Sequence, residues 1–342
     1  MSNSVNRQIL LRSRPAGAPN EDNFALVEAP IPEPGAGQFL ARTLYLSLDP
    51  YMRGRMAEGP SYAPPAELGR PMPGGTVGQV VRSDHPGFAE GDYVLGYWGW
   101  QDYGVSDGTG VRRLDPAEAP LSYALGILGM PGMTAYVALL DVGRPRPGET
   151  VVVSAAAGAV GSVAGQVAKL KGCRAVGIAG GAAKCRYVAE ELGLDACVDY
   201  KAPDLDGALR DACPGGIDVY YDNVGGRVLE AVLRRINRGA RIPLVGLISQ
   251  YNATGPTPGP DLMPLLVHRA LIRGFIVLDH PDREPDFLRD VSGWLKEGKL
   301  KYREHVVKGL EEAPRAFLGL FRGENFGKLI VQVGDDPTRT KE

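Results

Sequence analysis

The stretch from Thr150 to Arg186 carries the residues best suited to chemistry. A β-branched run, Val151 to Val153, leads into Ala155-Ala156-Ala157-Gly158-Ala159-Val160-Gly161, and Ser162 to Leu170 then place apolar residues at helical spacing before a second strand-like run. A glycine turn between strand and helix aims backbone N–H groups and the positive end of the helix at an anion. This suits the pyrophosphate of a dinucleotide. The first glycine of G-x-G-x-x-G is missing, with Ala155 standing three residues before Gly158, so the reading rests on the strand–turn–helix context.

Cofactor choice follows from the end of the second strand. Proteins that use NAD usually carry an acidic residue there for the adenosine ribose. Ala179 to Arg186 offer none, only small residues and two cations, Lys184 and Arg186, able to neutralise a 2′-phosphate. Cations near a helix start are unfavourable without an anion to bind. NADP(H) is therefore expected over NAD(H).

A catalytic metal is not expected. Zinc sites need several Cys, His or acidic ligands, yet no cysteine precedes Cys173 and His85 is the only histidine of the N-terminal half. Tyrosine hydroxyls are the remaining candidates to donate to a developing oxyanion. Tyr51 follows Asp49-Pro50 in a turn leaving a long strand. Tyr251 opens the loop YNATGPTPGP directly after the strand Ala240 to Gly246, and loops at the carboxyl ends of parallel strands line a ligand crevice. Tyr62 lies in the proline-rich Ser61-Tyr62-Ala63-Pro64-Pro65, as a pocket wall or lid.

These residues must be held by a folded scaffold, and 342 residues with 44% hydrophobic and 23% charged side chains supply ample core for two domains or one large one. A formal net charge of -2 gives no electrostatic ground for nucleic acid or an anionic membrane as partner. No apolar run approaches a bilayer span and the N-terminus lacks a secretory core, so a cytoplasmic location is expected. The four cysteines have no disulfide-like framework and are expected as reduced thiols.

Up to about residue 127 the texture is of short strands broken by Gly and Pro, including Phe39 to Leu48 with Leu40, Leu44, Leu46 and Leu48 in alternation. Beyond it, strands are expected at Thr150, Arg174, Ala196, Ile217, Ala240 and Leu271, alternating with helices, which predicts an α/β doubly wound parallel sheet. A helix from Leu310 to Phe321 and a strand at Lys328-LIVQV should return to the β domain. Asp335 to Glu342 is expected to fray.

Several motifs in order along nearly the whole chain carry a family resemblance: Leu46-SLDPYMRGRM, Ala155-AAGAVGS, Lys169-LKGC, Tyr221-DNVGG, Ser249-QYNATG and Gly323-ENFGK. The chain resembles the zinc-independent branch of the medium-chain dehydrogenase/reductase superfamily, with prostaglandin reductases, leukotriene B4 12-hydroxydehydrogenase, 2-alkenal reductases and bacterial curcumin reductases; Gly96-YWGWQDY and Leu128-GMPGMTAY are most similar to the last type. The resemblance implies a GroES-like, mostly β barrel-like catalytic domain from 1–127 and 300–342, with a Rossmann NADP(H)-binding domain inserted at 128–299. It also implies reduction of the C=C bond of conjugated ketones or aldehydes, in which a hydride reaches the β carbon and tyrosines stabilise the enolate.

By the same resemblance, Gly158, Ala159, Val160 and Gly161 match the pyrophosphate turn, and Lys184 and Tyr200 the residues that hold the 2′-phosphate. Asn223 matches a ribose or nicotinamide contact; Gly246, Tyr251, Phe275, Val277 and Asn325 match positions around the nicotinamide half. Tyr51 matches a position by the nicotinamide and substrate. Relatives commonly pair through the edge of the Rossmann sheet, so a homodimer through Leu271-IRGFIVLD is expected. Oxidation of a lipid-like hydroxy compound, and an NADPH-binding regulator with incidental activity, are the alternative readings.

Overall fold

The computed structural model describes residues 5–59 and 61–339. They form two compact units: one holds the described residues up to Gly126, Glu304–Asn325 and those from Leu329 onward, the other Ile127–Arg303 and Phe326–Lys328.

In the first unit β1 (Asn6–Leu11) and β2 (Phe24–Ala29) pair antiparallel, in register from Asn6 opposite Ala29 to Leu11 opposite Phe24. There follow β3 (Phe39–Ser47), the short α1 (Met52–Arg55), β4 (Thr76–Ser83), β5 (Tyr93–Gly96), β6 (Tyr103–Ser106) and β7 (Arg112–Leu114). β3 pairs with both β4 and β6. Its leucine alternation suggests one buried face, yet Leu44, Tyr45 and Leu46 are all fully buried, because this central strand is covered on both faces.

Trp100 is the hub of the adjoining core. Phe24 stacks on it at 5.6 Å between centroids and Phe317 meets it edge-on at 5.6 Å. Such pairs add about 0.5–1.5 kcal/mol each beyond simple burial. Met52 and Met56 are buried in the same cluster, so α1 and the Tyr51 before it are anchored from beneath. The Arg53 guanidinium also donates to the Gly17 carbonyl at 2.7 Å.

The second unit runs α2 (Met130–Val137), β8 (Thr150–Ser154), α3 (Gly161–Leu170), β9 (Arg174–Ala179), α4 (Ala182–Arg186), β10 (Ala196–Asp199), α5 (Leu205–Ala212), β11 (Ile217–Tyr221), α6 (Gly226–Leu233), β12 (Ile236–Leu244), α7 (Met263–His268), β13 (Leu271–Gly274) and α8 (Glu284–Lys296). Among the described residues its strands form one parallel sheet in the order β10-β9-β8-β11-β12-β13. This is the doubly wound Rossmann order, with its switch point between β8 and β11. Every residue of β8 is buried, as a parallel strand sandwiched between helices must be.

The chain then returns through β14 (Glu304–Lys308), α9 (Ala313–Arg322) and β15 (Lys328–Gln332), with β15 antiparallel to β3. The expected frayed end is corrected by the structure as far as residue 339. Asp336 is buried and accepts from the Tyr45 hydroxyl at 2.9 Å and from the Thr338 hydroxyl at 2.7 Å. The Arg339 guanidinium lies 5.6 Å from the Tyr45 ring centre. A charged, proline-containing tail looked solvated in sequence, but Tyr45 supplies a buried partner. Residues 340–342 lie outside the described residues.

Candidate active site

The glycine turn is built as a cradle. Ala155 leaves β8 with a left-handed backbone at φ 50°, rare for a residue with a side chain. The N–H of Ala156 donates to the Ile178 carbonyl and that of Gly158 to the Ala155 carbonyl, at 3.0 and 2.9 Å. α3 then starts at Gly161, where a Cβ would stand 2.4 Å from the Ala155 oxygen. Only glycine lets the helix begin so close under the strand end. A ten-residue helix therefore points its N-terminal N–H groups out of this turn.

The residues expected to contact cofactor in this unit all follow strand ends of one sheet. Gly158, Ala159, Val160 and Gly161 follow β8, Lys184 follows β9, Tyr200 follows β10, Asn223 follows β11, Gly246 and Tyr251 follow β12, and Phe275 and Val277 follow β13. Three of them cluster. A Cβ on Gly246 would lie 3.1 Å from the Asn223 carbonyl oxygen and 3.4 Å from the Tyr251 hydroxyl. The Phe275 amide donates to Leu244 at 3.0 Å, and its ring stacks on His280 with centroids 4.9 Å apart.

At the other end of the row, the Tyr200 ring lies against Gly180, whose Cβ would be 2.8 Å away. Burial, then the positive charge of Lys201, pushes the Lys184 ammonium below its ordinary value. Like charge from Lys201 near Lys184 is a local surplus that a bound anion would offset. Lys201 escaped the sequence reading because it belongs to the loop after the third strand. The only signal was its place beside Tyr200.

The C-terminal return reaches the same turn. The Gly327 N–H donates to the Ala157 carbonyl at 3.0 Å, and Phe326 is held by Tyr187, edge-on at 4.9 Å, and by the Arg303 guanidinium 4.1 Å from its ring centre. A left-handed φ of 75° and a would-be Cβ 2.2 Å from the Arg303 carbonyl oxygen make Gly327 obligatory. Asn325, partly buried, immediately precedes this segment.

Tyr51 and Tyr62 belong to the first unit with Asn325; Tyr251 and the other expected residues belong to the second. Burial, then the Asp49 carboxylate, pushes the Tyr51 hydroxyl far above the ordinary phenol value. Tyr97 and Tyr62 lie near enough to act in the same direction. That shift favours the neutral, hydrogen-bond-donating form of the phenol. Ser47 in turn donates to Asp49, which fixes the turn that leads to Tyr51. Tyr62 is 55% exposed and Tyr97 61%. Tyr97, inside the Gly96-YWGWQDY motif, was not singled out from sequence. Burial also raises the Tyr251 hydroxyl, opposed by the Leu247 N–H that it accepts at 3.5 Å.

Two family models match the chain: an N-terminal domain of oxidoreductase over residues 7–114 and a zinc-binding dehydrogenase over residues 159–293. The residues present do not fit zinc. Among the described residues no three His, Cys, Asp or Glu side chains group to hold an ion. The NADPH-dependent curcumin reductase of Escherichia coli (strain K12) is 54% identical over 97% of this chain and 98% of its own length. The NADP-dependent 2-alkenal reductase of Nicotiana tabacum is 42% identical over 96% and 97%. The crystal structure of CurA from Vibrio vulnificus in complex with NADPH superposes with a TM-score of 0.93 at 53% identity, covering 96% of this chain and all of that one.

Proposed function

Because this chain belongs to the medium-chain dehydrogenase/reductase family, in the branch that holds the curcumin and 2-alkenal reductases, we infer that it reduces the C=C bond of α,β-unsaturated ketones and aldehydes with NADPH. The observation that carries this is the 54% identity to the NADPH-dependent curcumin reductase along essentially the full length of both chains. When bound, the cofactor supplies the hydride that the β carbon receives.

The chain's own residues do the rest. The Gly158–Gly161 turn cradles the pyrophosphate with backbone N–H groups, and Lys184, Lys201 and Tyr200 take the 2′-phosphate. Asn223, Gly246, Phe275, Val277 and Asn325 bound the nicotinamide half. The hydroxyls of Tyr51 and Tyr251 donate to the substrate carbonyl oxygen as it gains negative charge, and Tyr62 walls the substrate side. The α carbon finally takes a proton. Charge delocalised over an enone needs no metal to accept it, which hydrogen-bond donors placed at the oxygen can stabilise instead.

The test is NADPH oxidation with a panel of conjugated enones and alkenals beside saturated ketones and simple alcohols. Turnover confined to the conjugated set is expected; equal turnover of saturated ketones would overturn the reading. In the same assay Lys184→Ala should raise KM for NADPH by about 10- to 100-fold, the loss of a charge-assisted phosphate contact, while KM for NADH stays within about twofold. Parallel changes for both cofactors would remove Lys184 from the 2′-phosphate.

No described helix is long and apolar enough to cross a membrane. The edge strand β13 is exposed along its length, and in the α7 segment just before it in the chain Leu262, Met263, Leu266 and Val267 are exposed, Leu266 at 73%. Apolar sheet edges of this kind call for a cover. A homodimer through this edge should sediment at twice the chain mass at micromolar concentration, and Leu266→Asp should shift it toward monomer. A wild-type monomer under those conditions would dismiss the pairing.

A further inference from the structure

Asp222, the residue directly after β11, is fully buried, and its two carboxylate oxygens are treated unequally. Oδ1 accepts from the Tyr220 hydroxyl at 2.8 Å, the Ser154 hydroxyl at 3.2 Å and the N–H groups of Val224 and Gly225, both at 2.9 Å. Oδ2 has no hydrogen-bond partner among the described residues. A buried carboxylate oxygen without a hydrogen bond is costly and rare, and this one lies at a particular place. Ser154 ends β8 and Asp222 follows β11, the two neighbouring strands at which the sheet order reverses. Ligands of doubly wound sheets lie outside this point.

The same network grips the next residue. The Ser154 hydroxyl oxygen accepts from the Asn223 backbone N–H at 2.9 Å, and the Ser154 carbonyl accepts from Asn223 Nδ2 at 2.7 Å. One Nδ2 hydrogen is donated to Ser154, which fixes the plane of the Asn223 amide, and its oxygen is an acceptor group. Asp222 thus holds Asn223 from two directions: through Ser154 on one side, and through the Val224–Gly225 turn on the other.

We propose that Asp222, acting through Ser154, is a positioning residue that orients the Asn223 amide toward the nicotinamide half of NADP(H). This rests on the cofactor reading given above. Its effect should therefore be confined to the nicotinamide half, with the adenosine half bound as before.

Calorimetric titration with NADPH and with 2′,5′-ADP, which lacks the nicotinamide half, separates these. Asp222→Ala is expected to weaken NADPH binding about tenfold or more and leave 2′,5′-ADP within about twofold. Asp222→Asn keeps an acceptor at Oδ1 and should recover most of the loss. Added to Asn223→Ala, Asp222→Ala should cost nothing further, because residues acting through one another are not additive. Equal weakening of both ligands, unchanged NADPH binding, or additive losses in the double variant would each overturn the proposal. Should Asp222→Ala fail to fold, Ser154→Ala carries the same two-ligand comparison with the same outcomes. Failure of the underlying reading shows elsewhere, as wild-type protein that binds neither ligand; wild type that binds NADPH without reducing enones would sink the reductase reading alone.

Discussion

Gly161→Ala is expected to abolish NADPH binding over the range a calorimeter reads, a loss of at least about 100-fold. The added Cβ would stand 2.4 Å from the Ala155 carbonyl oxygen, 2.8 Å from its carbon and 3.0 Å from Ala156 Cα. All three are backbone atoms, so no rotamer change relieves the contact. The neighbouring turn has no slack, since Ala155 already sits at φ 50° and Ala156 is tied to Ile178. The start of α3 must move instead, and with it the N–H groups proposed to meet the pyrophosphate. A fall of several degrees in Tm should accompany the loss. Gly158 makes the useful contrast, because its Cβ would meet only the Ala155 oxygen, at 3.2 Å, which a shift of a few tenths of an ångström relieves. If Gly161→Ala retained NADPH affinity within about threefold with far-UV circular dichroism unchanged, the cradle would not be the pyrophosphate site.

Tyr51→Phe and Tyr251→Phe should each lower kcat for a conjugated ketone by about 10²-fold or more, the usual effect of removing one oxyanion donor, with KM for NADPH nearly unchanged. If both hydroxyls serve one oxygen, the double variant should lose far less than the product of the single losses. The neutral phenol is the donating form and is populated below its pKa. Because burial and Asp49 push the Tyr51 value upward, wild-type turnover should show no alkaline fall from this residue below about pH 10. Such a fall, absent from Tyr51→Phe, would contradict the burial that holds the hydroxyl protonated. Full activity in either single variant would remove that tyrosine from the reaction.

How far the site was legible in sequence differs residue by residue. The strand–turn–helix around Gly158 and Gly161 was readable because its three parts, a β-branched run, two glycines and an apolar helix face, are contiguous. Lys184 and the lack of an acid after β9 were readable for the same reason. β3 showed as a strand from its leucines, but its burial on both faces did not, since that depends on residues distant in sequence: Leu46 packs in a cluster with Trp100 and Phe317, and Leu44 and Tyr45 in another with Leu121 and Leu125. β1 and β2 were not singled out: their pairing spans a long irregular connection, and neither strand carries a strong apolar alternation. Lys201 and Tyr97 were passed over because each gains meaning only from a neighbour, Lys184 or Tyr51, on another element.

By itself the sequence determined the strands and helices of a doubly wound domain, the glycine turn that fits a dinucleotide, the cations that fit a 2′-phosphate and the shortage of zinc ligands. These are properties of short windows, in which side-chain periodicity and glycine placement act locally. Tertiary structure alone decided that the tail is held as far as residue 339 by Tyr45 and Asp336, and that Gly327 docks on Ala157. It also decided that Asp222 lies buried at the switch point, with one oxygen that has no hydrogen-bond partner among the described residues. Each of these joins residues distant in sequence, and the burial or hydrogen bond that fixes it exists only once separate strands have been brought side by side.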